Sequence, residues 1–124
     1  MYKSIKYILV CFLASLSLVS CKQKQGDKIE VGFSQAMTTD DWRKQMNSSM
    51  KIEASLRPEV DLKISDANNN IEKQIEDIER YIANKADVII VSPIQSKPLT
   101  AVVEKSIKAG IPVLVVDRKI DSEN

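Results

Sequence analysis

Histidine is absent from all 124 residues, and the two cysteines stand at positions 11 and 21. Without His the chain lacks the commonest general base and the commonest nitrogen ligand for metals. With no His and so few Cys, a zinc site has no donor set. No Ser or Cys nucleophile has an imidazole to activate it, so triad chemistry finds no support and the chain reads as a non-enzyme. The glycine signatures of phosphate binding are missing too. No G-x-G-x-x-G follows the first strand candidate and no G-x-x-x-x-G-K-[ST] occurs, which disfavours dinucleotide folds and P-loops. A phospho-acceptor receiver domain needs acids after its first strand and an Asp after its third, and Ser34 and Ser92 occupy those places. The formal charge is only +1. Phosphate backbones are held by a basic excess, so nucleic acid is not expected as a partner.

The first 21 residues read as a targeting segment rather than part of the fold. MYKSIKY carries Lys3 and Lys6 and no acid, and ILVCFLASLSLVS is an apolar run too short for a spanning helix, which takes roughly 20 residues. Leu18-Val19-Ser20-Cys21 resembles a bacterial lipobox, whose Cys is lipidated and becomes the new N-terminus. Residues 1–21 are therefore expected to be a signal peptide, Cys21 the lipidation site, and the product an exported lipoprotein anchored in a membrane and facing the periplasm. An uncleaved N-terminal anchor is the other reading. Removing residues 1–20 takes away two Lys and no acid, leaving 16 basic against 17 acidic residues. The folded part holds no Cys, so no disulfide can form within it. KQKQGDK, residues 22–28, reads as a polar tether.

About 95 residues remain, enough for one small domain. KIEVGFS (28–34) alternates Ile29, Val31 and Phe33 as a strand does. Thr39, Asp40 and Asp41 supply N-cap candidates and early acids for a helix over 41 to about 56. Its stripe is Trp42, Met46, Met50 and Ala54, and Pro58 stops it. VDLKIS (60–65) alternates strictly, as a half-exposed edge strand would. Ile71, Ile75, Ile78 and Ile82 then mark an amphipathic helix ending near Asn84, with Glu72, Lys73, Glu76, Asp77, Glu79 and Arg80 expected on its solvated face. The apolar run Val88–Val91 suits a strand covered on both faces. Ser96 is the expected cap of a third helix, Pro98 sits in its first turn, and Leu99, Val102, Val103 and Ile107 form its buried stripe. After Gly110, IPVLVV (111–116) is the fourth strand, followed at once by Asp117 and Arg118.

This β-α-β-α-β-α-β order predicts an α/β fold, a parallel sheet with helices on both faces. Right-handed crossovers favour strand order 2-1-3-4. Ligands of such sheets sit beyond the carboxyl ends of the strands. Ser34-Gln35, Asp66, Ser92-Pro93 and Asp117-Arg118 fall there. A carboxylate accepts hydrogen bonds from hydroxyls and a guanidinium donates several in a fixed fork, so a neutral hydroxyl-rich ligand suits this set. Trp42 has two placements open to it, in the core or over the strand ends, where an indole would stack on a sugar ring. Asp117 and Arg118 as a plain ion pair where the strand leaves the core is the bland alternative.

VGFSQ, DDWR at 40–43, DANNNIEKQIEDI, VIIVSP and IPVLVVDR, in this order and spacing, resemble the first lobe of type I periplasmic sugar-binding proteins, especially the galactofuranose and ribose types. The same pattern is similar to the periplasmic sensor domains of hybrid two-component histidine kinases of gut Bacteroidota. The resemblance spans residues 28–124. It implies that 29–124 form a partial N-terminal lobe and that Asp117 and Arg118 hydrogen-bond sugar hydroxyls. It also implies that Trp42 stacks on the sugar, that Arg43 or Asp41 bonds to it, and that Gln35 is a further contact. Asn70 and Gln74 are expected to hold the second loop and helix rather than touch ligand. The AMTTDDW loop lacks the paired Phe of ribose-type proteins, which argues against ribose itself. No cofactor is implied.

The family has two lobes that close on the ligand, whereas this sequence stops just after the fourth strand. The expectation is an N-lobe alone, marginally stable and prone to self-association through its apolar last strand. Three functions follow from the resemblance and the leader. The first is monosaccharide capture for an ABC permease. The second is sugar sensing for a fused kinase. The third is an exported fragment or interaction module that binds no sugar.

Overall fold

A computed structural model describes residues 28–121. The expected signal peptide with Cys21, and the tether except Lys28, lie outside the described residues, as do 122–124.

Four strands and three helices alternate. They are β1 (Ile29–Gln35), α1 (Asp41–Ser55), β2 (Val60–Asp66), α2 (Ile71–Ala83), β3 (Val88–Ser92), α3 (Ser96–Lys108) and β4 (Val113–Val115). All pairings are parallel, and the sheet runs β2-β1-β3-β4. Strand order and element order are those expected from the alternation.

The two faces of the sheet are covered unequally. Gly32 points toward α2, where a Cβ would meet the Tyr81 ring at 2.5 Å, so only glycine fits that approach. On this face Ile78, Ile89, Val91, Leu99, Val102 and Val103 form one cluster between sheet, α2 and α3. Full burial stabilises each such side chain by about 1.5–3 kcal/mol. The opposite face carries α1, and Gln35 reaches from β1 to Met46 and Asn47 of that helix. Phe33 is sealed there, but Val31, Leu62 and Ile90 are only half-buried and border an open groove of ≈ 300 Å³ beside Met50 and Ala54. Leu114, the residue of β4 paired with Ile90, is 55 % exposed.

Several expectations need correction. Met46, Met50 and Ala54 are half-buried as a stripe should be, but Trp42 is 55 % exposed and outside the core. Ser96 is not the cap of α3. Gln95 holds that position without a side-chain bond, and the Ser96 hydroxyl instead accepts from the Asp121 N–H at 2.7 Å. Asp77 is not on a solvated face. It is buried, and Lys73 (3.2 Å) and Arg80 (2.6 Å) reach in to neutralise it, which a buried carboxylate requires. Finally, β4 pairs over three residues only, because beyond Val115 the chain turns sharply.

Candidate functional site

That turn places the first functional side chain. Asp117 has φ +72, a left-handed backbone that Asp tolerates better than most residues. The Arg118 N–H donates to the Val116 carbonyl at 2.9 Å and closes a three-residue turn around it. A γ-turn of this hand is rare and strained. Strain of this kind collects at binding sites, where the surroundings over-determine it.

Arg43 provides much of that determination. It stands in the first turn of α1, whose N-cap is Asp40. One Asp40 oxygen accepts from the Arg43 backbone N–H at 2.9 Å, and the other accepts from Arg43 Nη1 at 2.8 Å. Nη2 of the same guanidinium donates to Asp117 Oδ2 at 2.5 Å. The helix start and the strand tip, 74 residues apart in sequence, are thus joined through one cation. Arg43's side chain is only 12 % exposed and its Nε is buried with no partner among the described residues. The Asp40 hydrogen bond is the main cause that raises the Arg43 pKa, with the Asp117 charge adding to it. Reciprocally, the two Arg43 bonds lower the Asp40 pKa. The exposed Trp42 ring lies 5.5 Å from the Arg43 guanidinium, within cation–π range.

The remaining candidates divide. Arg118 Nη1 donates to the Ile94 carbonyl at 2.6 Å, so this guanidinium is braced against the loop after β3. No ion pair joins Arg118 to Asp117 among the described residues, and the Asp117 carboxylate is committed to Arg43 instead. Asp41 is fully exposed and pairs with Lys44 at 3.2 Å, outside this cluster. Gln35 is fully buried. Its Nε2 donates to Asn47 Oδ1 and its Oε1 accepts from the Ala36 N–H, so its amide is engaged at both ends within the protein. The structure therefore brings together Trp42, Arg43 and Asp117, follows Asp117 with an Arg118 that bonds to the Ile94 carbonyl, and leaves Gln35 and Asp41 out of this cluster.

A second layer fixes the strand ends. Asn70 caps α2 by accepting from the Lys73 N–H. Gln74, fully buried, donates to the carbonyls of Ser92 (2.9 Å) and Ser34 (3.4 Å) and accepts from the Ile94 N–H (2.9 Å). One amide thereby clamps the ends of β1 and β3 and the loop that supports Arg118. Asp40 is the partner that sequence reasoning passed over as a functional residue, treating it only as a possible cap. The signal was present in the Asp-x-x-Arg spacing, which sets a carboxylate over an Arg one turn on.

With α/β topology, an open strand-end face and a guanidinium held between two carboxylates beside an exposed indole, the class is a binding domain of the parallel-sheet type. Residues 31–124 match the family described as periplasmic binding protein domain. The chain belongs to that family. It is 33 % identical over 93 residues to the galactofuranose-binding protein of Escherichia coli K12, covering 75 % of this chain and 29 % of that one. Among solved structures it is similar to the periplasmic binding protein of an arabinose ABC transporter from Shewanella sp. ANA-3, bound to α- and β-L-arabinofuranose. That match has 36 % identity and a TM-score of 0.71, covering 76 % of this chain and 31 % of that one. It is also similar to the fructose-binding periplasmic domain of a hybrid two-component system, at 35 % identity and TM-score 0.71, with 75 % and 31 % covered. The chain thus spans about three tenths of the length of these relatives.

Proposed function

We propose that this chain contributes the N-terminal half of a sugar site to an exported binding protein that captures a monosaccharide or related carbohydrate for an ABC permease. The observation that carries the reading is Arg43, held between Asp40 and Asp117 beside an exposed indole. Beyond the two N–H groups that Asp40 and Asp117 take, the guanidinium keeps further donors for a ligand hydroxyl, and its buried Nε has no partner among the described residues. Asp117 accepts, Arg118 donates, and Trp42 stacks on the C–H face of the ring. Asp41 contributes at most from the rim. Cys21 is the proposed lipid anchor, supported by the lipobox-like Leu18–Cys21. The relatives are binding proteins, which supports a non-catalytic role.

Trp42 is the single tryptophan of the chain, so its fluorescence reads the proposed contact directly. Titration with L-arabinose, D-galactose and D-fructose is expected to give a saturable change with at least one of them. A hydrogen bond to a charged group contributes about 1.5–3 kcal/mol, so in an intact two-lobed version Arg118→Ala is expected to weaken sugar binding roughly tenfold to a hundredfold. No response of an intact two-lobed version to any neutral pentose or hexose would overturn the proposal. A sensing role is the second reading, favoured by the similarity to the two-component periplasmic domain. Labelled fatty acid incorporated at Cys21, and lost in Cys21→Ser, supports the transport reading, whereas a membrane helix and kinase in the same polypeptide support sensing.

A further inference from the structure

We propose that Asp40 is a positioning residue of this site, which holds the Arg43 guanidinium against Asp117 and balances its charge so that neutral rather than anionic sugars are accepted. The inference deepens the sugar-site reading and rests on it for the ligand.

The two oxygens of Asp40 do separate work. Oδ1 caps α1 through the Arg43 N–H, and Oδ2 takes Nη1 of the same residue. The cap alone would fix the helix start and leave the guanidinium free to swing. The second bond ties it down, and Nη2 then meets Asp117. Asp40 stands at the rim with 40 % of its side chain exposed, while the guanidinium it holds is at 12 %. The carboxylate therefore acts on a ligand through Arg43 rather than by lining the buried part of the site.

The charge count follows from the same contacts. Arg43 and Arg118 supply two cations, and Asp40 and Asp117 two carboxylates. A sugar acid brought to Arg43 would meet two carboxylates already on that guanidinium, and like-charge juxtaposition rejects such a partner. A hydroxyl needs only one of the guanidinium N–H donors that Asp40 and Asp117 leave over.

The test separates capping from holding. In the full chain, Asp40→Asn keeps an Oδ1 acceptor for the cap but offers Nη1 an amide group. Asp40→Ser keeps a capping hydroxyl that is too short to reach Nη1. The first readout is the Arg43 Nε–H signal in nitrogen-15 NMR, assigned by its loss in Arg43→Lys. Wild type is expected to show a slowly exchanging signal. In both Asp40 variants the exchange is expected to quicken about tenfold or more as the guanidinium is released, with melting temperatures within a few degrees of wild type because the cap survives. An unchanged signal in both variants, or no protected signal in wild type, overturns the positioning role whether or not sugar binds.

The second readout is binding of L-arabinose against D-galacturonate. Asp40→Asn is expected to weaken the neutral sugar about tenfold and to narrow its advantage over the uronate. An unchanged preference overturns the charge-balance half of the proposal. If wild type binds neither sugar, the sugar-site reading fails, and the NMR signal still decides whether Asp40 positions Arg43.

Discussion

The two faces of the sheet differ in how complete they are. On one, α2 and α3 close over Ile78, Ile89 and Leu99, each with no exposed surface, and Tyr81 sits directly on Gly32. On the other, α1 lies over the β1 and β2 side, while Ile90 stays half-buried and Leu114 stands 55 % open. The first face carries the stability of these residues. The second carries the candidate site at its upper rim, where Asp40 and Arg43 of the α1 turn meet Asp117. The packed core and the candidate site thus lie on opposite sides of one sheet, whose strand ends the buried amide of Gln74 holds together.

This contrast can be tested in order of expected effect. Ile89→Ala should cost about 2–5 kcal/mol in denaturant unfolding, the usual range for emptying a packed core site. If Leu114→Ala cost as much, the distinction between the faces would be gone. Gln74→Leu should cost less, about 1–3 kcal/mol for the buried groups of Ser34, Ser92 and Ile94 left without their partner. It should also weaken sugar binding without touching the ligand, and stability loss with unaltered affinity would detach the clamp from the site.

Tyr81→Phe isolates a pH effect on the closed face. The phenol lies 3.0 Å from the Lys63 carbonyl and 2.6 Å from Ser65 Oγ, and burial is the main cause that raises its pKa. The folded state holds that proton more tightly than the unfolded one. Stability is therefore level below about pH 10 and falls as pH rises through the raised value. The Phe variant should lose this alkaline slope in melts between neutral and strongly basic pH, and an identical slope would assign the effect elsewhere.

Leu114→Lys should have the smallest effect on folding, within about 0.5 kcal/mol for an exposed site. Its effect on assembly should be larger. The wild-type chain is expected to self-associate along β4, whose outer side has no strand beside it among the described residues, and a charge there discourages edge pairing. A monodisperse wild-type monomer in size-exclusion chromatography would refute that expectation.

The closed face was legible because its signals are local. Ile71, Ile75, Ile78 and Ile82 mark a helix by spacing alone, and Val88–Val91 mark a strand by an unbroken apolar run, although that strand is covered on one face only and leaves Ile90 half-buried on the other. The open face was less so. Trp42 falls in register with Met46 and Met50, and spacing cannot report that the sheet beneath ends short of it. Asp77 sits among six charges and looks solvated, although the fold turns it inward toward its own Lys73 and Arg80. The bland alternative paired Asp117 with Arg118 because they adjoin. The actual pairing, Asp117 with Arg43, crosses 74 residues and exists only once β4 lies near the start of α1. Position relative to the sheet was readable, and partner choice across it was not.

The left-handed backbone at Asp117 narrows what evolution or an engineer can write there. Glycine, asparagine and aspartate tolerate that geometry best. Of these, glycine preserves the bend but loses the acceptor, and asparagine preserves shape and acceptor but not charge. Only aspartate also grips Arg43 as an anion. Glutamate, the obvious neighbour in chemistry, would pay in backbone strain for the charge it keeps. At this one codon, ordinary conservatism fails, and the spelling of the strand tip is close to fixed by its curvature.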